Sequence, residues 1–165
     1  MSTTRGVLFV HSAPSALCPH IEWAVGGAFG MPVHLEWAAQ PVERSTYRAE
    51  YAWTGPVGTA AKLASALKGW QRIRFEVTEE RTPRTEAERY SYTPALGIFR
   101  ASTGTHGDIT IDETRLRQAM LSAELGGPDL ATALDRLLGR PWDCELEPFR
   151  YAGEDAPVRW LHEVV

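Results

Sequence analysis

Cysteine is scarce: the chain has only Cys18 and Cys144, far apart, and it contains neither a Cys-x-x-Cys nor a His-Glu-x-x-His spacing. That excludes a disulfide framework and a zinc site defined by spacing, and it implies free thiols in a reducing compartment. Long apolar runs are missing as well. Near the N-terminus only Val7 to Val10 is uninterrupted, far short of a signal-peptide core or a membrane span, so the expected location is the cytoplasm, away from membranes. There is no basic stripe either. The net charge is -4, acidic and basic residues are mixed, and the densest basic stretch, Lys68 to Arg74, holds three cations among apolar neighbours, which argues against a nucleic-acid partner.

What is present suits a packed domain. The 165 residues are 44% hydrophobic and 23% charged, outside the composition of disordered chains, and a chain of this length buries on the order of 70% of its unfolded surface. The expectation is therefore one domain over residues 1–165. Six Trp imply a ring-rich core or an aromatic-lined pocket or interface.

Gly6 to His11 reads as a buried strand, stopped by Ser12, Pro14 and Ser15. A helix from about Pro19 to Phe29 follows, with Gly30 closing it. Val33, Leu35 and Trp37 alternate with polar residues, as do Tyr47, Ala49, Tyr51 and Trp53, predicting a hairpin. Gly58 to Trp70 reads as a second helix, with Ala61, Leu63, Ala64, Leu67 and Trp70 on one face. Ile73, Phe75 and Val77 form the next strand. This βαββαβ order predicts an α+β fold with a ferredoxin-like first half. Thr78 to Arg89 lacks either hydrophobic period and is expected as a loop. A hairpin around Ser102 to Gly107, a helix capped by Asp112, a helix ended by Gly139 and a C-terminal strand around Val158 to Val164 complete the expectation.

Chemistry is expected first at the strand-to-helix junction carrying His11, Ser12, Cys18, His20 and Glu22. A helix start attracts anions and lowers a thiol's pKa, so Cys18 with His11 or His20 as base is one reading; an inert core cysteine is the other. These residue types include zinc ligands, but Cys18 and His20 fall on nearly opposite sides of a helix, and no metal is expected. The glycine-rich turn before Thr59 and Lys62 can hold a phosphate or carboxylate, although Gly-x-x-x-x-Gly-Lys-Ser/Thr is absent; a tight turn with an exposed lysine is the simpler and favoured account. Trp142, Asp143, Glu145, Glu147, Phe149, Arg150 and Tyr151 offer either paired carboxylates or an aromatic docking surface, with a packed loop as the plain alternative. His106 stands at a hairpin tip, where a histidine is ordinarily solvated.

Gly6 to Pro14, Cys18 to Ala24, Leu63 to Trp70, Arg74 to Thr78 and Leu146 to Tyr151, taken in that order, resemble an actinobacterial family known as domain of unknown function 3145. The resemblance covers essentially the whole chain. It implies an actinobacterial source and genes lying near those of type II fatty-acid synthesis, but no catalytic residue. It leads to an expectation of a non-catalytic accessory or regulatory protein that binds an enzyme, carrier protein or acyl-thioester of fatty-acid metabolism, with no cofactor of its own. The rival is a small enzyme or ligand-binding domain using the His11 to Glu22 junction, with Thr59 and Lys62 holding a phosphate of coenzyme A.

Overall fold

The structure is a computed structural model, and it describes residues 2–151. Its centre is a seven-stranded sheet in the order β2-β3-β1-β4-β5-β6-β7, with every neighbouring pair antiparallel. The strands are β1 (Thr3–Pro14), β2 (Ala38–Ala39), β3 (Thr46–Pro56), β4 (Arg74–Glu79), β5 (Ala87–Thr93), β6 (Gly97–Thr103) and β7 (Ile109–Thr110). The helices are α1 (Cys18–Phe29), α2 (Thr59–Leu67), α3 (Glu113–Glu124), α4 (Leu130–Leu137) and α5 (Arg140–Arg150). The protein is thus α+β, and its first half runs in the expected βαββαβ order.

Period-two alternation divides the sheet into two faces. Leu8 and Val10 of β1, Phe75 and Val77 of β4, and Tyr90 and Tyr92 of β5 form the main core with Ile21 and Val25 of α1 and Leu63 and Leu67 of α2. Trp53 lies across Gly6 on this side. A Cβ at Gly6 would stand 2.5 Å from the Trp53 ring and 1.8 Å from the Thr78 carbonyl oxygen, so this close approach of β3 and β4 to β1 demands glycine there. The opposite face carries the row Phe9, Glu76, Ser91 and Phe99 and, beside it, the row Val7, Thr78, Arg89 and Ala101. Helix α5 covers it, with Trp142, Leu146 and Phe149 buried.

Three expectations change. Val33 to Trp37 is not a strand, although Val33 and Leu35 are buried; its backbone is tied to a side chain of α1, the Leu35 amide donating to Glu22 at 2.9 Å, and only Ala38–Ala39 pairs with β3. Thr78 to Arg89 is no long excursion. Its ends lie in β4 and β5, and the turn between them closes by a Thr82–Thr85 bridge. β5 escaped the hydrophobic pattern because its second face buries Arg89 and Ser91 rather than apolar groups. The segment around Asp143 to Arg150 is a helix with one face turned inward. The expected C-terminal strand falls outside the described residues.

Candidate functional site

Beneath α5 lies a closed network centred on Glu76. Its position in β4, between Phe75 and Val77, turns the carboxylate away from the apolar core and fully buries it. Glu76 Oε1 accepts from Ser91 Oγ at 2.8 Å and from Arg150 Nη2; Oε2 accepts from His11 Nε2 at 2.8 Å and from Arg150 Nε at 3.0 Å. Each oxygen therefore takes two donors, which uses the full accepting capacity of a carboxylate. Burial alone opposes ionisation, but the bonds and charges of His11 and then Arg150 outweigh it and hold the Glu76 pKa down at about 2. An ionised Glu76 only accepts, so the His11 proton sits on Nε2.

Asp143, one turn into α5, extends the network by accepting from Arg150 Nη2 at 2.9 Å, and Arg89 Nη2 approaches the same oxygen at 3.9 Å. Desolvation lowers the Arg89 pKa, and its Nε is buried without a partner among the described residues. Arg74 borders the network: Nη1 donates to Ser12 Oγ at 3.1 Å and to Glu43 at 2.8 Å, and its guanidinium lies 4.5 Å from the centre of the Phe149 ring. Two carboxylates, Glu76 and Asp143, thus face Arg89 and Arg150. With every lone pair of Glu76 engaged, the carboxylate ties α5 to β4 through Arg150.

The residues of the strand-to-helix junction separate. His11 belongs to the Glu76 face, stacked on Phe9, whereas Cys18 packs in the core on the other face. The Cys18 thiol donates to the Pro14 carbonyl at 3.6 Å, and burial, followed by the charge of Glu22, raises its pKa, the reverse of an activated nucleophile. His20 is exposed and stacks on Trp70. Glu22 accepts from the Leu35 amide, from Trp37 Nε1 at 3.1 Å and from His34 Nδ1 at 3.3 Å, pinning the chain after α1. Among the described residues no three His, Cys, Asp or Glu side chains gather as metal ligands.

At the start of α2 an anion is present, and the protein supplies it. Glu79 accepts from the Gly58 amide at 3.1 Å and from the Ala60 amide at 3.0 Å, occupying the site expected for a ligand. Thr59 Oγ1 donates to the Pro56 carbonyl at 2.6 Å, and Lys62 is exposed. Of the expected docking residues, Trp142 and Phe149 are buried and Arg150 holds Glu76, while Glu147 and Tyr151 are exposed and Glu145 is half-buried. His106 is exposed in the β6–β7 turn.

The other feature is a groove of about 1030 Å³ along the outer edge of β6. β7 pairs only with Ser102 and Thr103, so the rest of that edge has no strand partner among the described residues, and α3, α4 and Trp142 form the far wall. Trp142 is set by its Nε1 donating to the Gly97 carbonyl at 2.9 Å. Gly139 stands at φ 76° just before α5, and a Cβ there would stand 2.6 Å from the Phe99 ring. The groove's apolar groups include Ile98, Phe99, Ala119, Ala133 and Leu137, and Arg100, Arg115 and Arg136 stand around it. Neither α3 nor α4 contains a buried residue; Leu116, Met120, Leu121 and Leu130 are exposed on them, as is Leu125 just after α3. Both helices were expected, and so was the Asp112 cap; Asp129, which was not foreseen, caps α4 in the same way, each aspartate accepting from a first-turn amide at 2.9 Å. Glu76 and Arg74 were missed, since alternation inside a strand marks charged residues as solvent-facing, and Arg89 because it ends the stretch expected as a loop.

No curated protein and no solved structure matches the chain. The family model described as protein of unknown function (DUF3145) matches residues 7–163, and the chain belongs to that family.

Proposed function

We propose that the protein is a non-catalytic accessory protein of fatty-acid metabolism, binding an enzyme, carrier protein or acyl-thioester through the β6 groove and the adjoining faces of α3 and α4. The observation that carries this reading is the groove itself: apolar walls, three surrounding arginines and a volume suited to a small-molecule chain. An acyl-thioester on a phosphopantetheine arm has that chemistry, since its chain seeks apolar walls and its phosphate seeks guanidinium. Arg100 is paired with Glu88 and Arg136 lies 5.2 Å over Trp142, whereas the side chain of Arg115 has no ion-pair partner among the described residues. The Glu76 network supports the non-catalytic part, because its carboxylate is consumed in holding α5.

The test is calorimetric titration of the purified protein with acyl carrier protein, acylated and unacylated, and with long-chain acyl-coenzyme A. Saturable binding that prefers the acylated forms and weakens at least tenfold in Ala119→Glu is expected. Absence of binding to all of them, or binding indifferent to Ala119→Glu, overturns the reading.

A further inference from the structure

We propose that a second cleft, between the β1–α1 junction, the 40–46 turn and the start of β4, binds a small organic phosphomonoester. The cleft measures about 400 Å³ and shares no lining residue with the β6 groove, so the two readings stand or fall separately. Arg44, Arg72 and Arg74 line it together with the hydroxyl-bearing Ser15 and Thr46. Its one carboxylate, Glu43, is already engaged by Arg74 at 2.8 Å. Arg44 and Arg72 form no ion pair among the described residues. Two guanidiniums are therefore left uncompensated at one place on a chain whose net charge is -4.

The cleft is braced from below. Gln40, buried behind it, donates through Nε2 to the His11 carbonyl at 2.7 Å and accepts from the Val42 amide at 3.1 Å, fastening the turn to β1. Thr46 Oγ1 donates to the Glu43 carbonyl at 2.7 Å and closes the turn, within which Ser45 is held at φ 61°. Arg74 is fixed by Ser12, Glu43 and the Phe149 ring, leaving Arg44 and Arg72 as the exposed pair.

The charge selects the ligand. A phosphomonoester carries about 1.5 to 2 negative charges at neutral pH, which matches the two open guanidiniums, and its tetrahedral oxygens accept forked donors. A bare phosphate leaves much of the volume unfilled, which favours a phosphate carrying a small organic group.

The experiment titrates full-length protein, labelled at arginine side chains and backbone amides, with glycerol 3-phosphate and separately with inorganic phosphate at low ionic strength, read by NMR. The expected result is saturable shifts at the Arg44 and Arg72 Nε–H groups and the Thr46 amide, with glycerol 3-phosphate binding tighter. The double variant R44Q/R72Q should weaken binding about a hundredfold, about tenfold per guanidinium removed. Both side chains are exposed, so an unchanged amide spectrum elsewhere verifies its fold. Shifts that rise without saturating, or equal affinity in R44Q/R72Q, overturn the site. Equal or tighter binding of inorganic phosphate overturns the assignment to an organic phosphomonoester.

Discussion

The two faces of the sheet are held to their helices by different physics. Under α1 and α2 the contact is apolar, with Leu8, Val10, Phe75, Val77, Ile21, Leu63 and Leu67 buried together, each side chain contributing about 1.5–3 kcal/mol by leaving water. Under α5 the contact mixes Trp142, Leu146 and Phe149 with Glu76, Arg150, His11 and Asp143. Dispersion and water exclusion tolerate a shifted helix. A carboxylate that must meet a histidine, a serine and the Nε–Nη2 edge of one guanidinium does not. The comparison teaches that the apolar face supplies stability and the charged face sets where α5, and with it the Trp142 wall of the groove, comes to rest.

The largest break in that contrast is Glu76→Ala. It strands Arg150 and His11 in a buried site and should cost about 4 kcal/mol in urea unfolding, whereas the double change Glu76→Leu with Arg150→Met should recover much of that loss. A double variant as unstable as the single one would show that the pair is needed for stability itself rather than for placing α5.

Acid sharpens the contrast next. The Glu76 pKa is about 2 in the folded protein against about 4.5 unfolded, so its contribution of about 3 kcal/mol is complete above pH 4.5 and is lost as pH falls toward 2. Stability measured by urea unfolding between those values should decline in the wild type and remain flatter in Glu76→Gln. Equal slopes would remove Glu76 as the source.

On the apolar face Ile21→Val should cost only about 1 kcal/mol and leave the acid response unchanged, as thermal melts at pH 3 and pH 7 can verify. The smallest effect belongs to the outer helices. Leu125 is 77% exposed, so Leu125→Ser should shift stability by less than about 0.5 kcal/mol. If the α3 and α4 faces meet a partner, the same change should weaken acyl carrier protein binding in titration.

Where local pattern and burial agreed, the sequence was readable. The apolar run through Leu8 and Phe9, the α2 stripe through Leu63 and Leu67, and Asp112 before α3 each declared an element, because run, period and capping are local properties. β5 and α5 were not declared, since Arg89 and Arg150 look solvent-facing until the strands and helix close over them. Of the candidate site residues, Cys18, His11 and His20 were read together by proximity in sequence and are parted by the sheet.

By itself, then, the sequence determined the α+β class and the apolar core, which follow from short-range periodicity, while the second strand fell on Ala38–Ala39 rather than on the alternating Val33 to Trp37. Only tertiary structure decided that Glu79 fills the α2 start, that Glu76 meets Arg150 across 74 residues, and that Arg44, Arg72 and Arg74 converge on one cleft. Charges are assembled by long-range closure, and whether one ends in water or in an ion pair depends on groups that no local window contains.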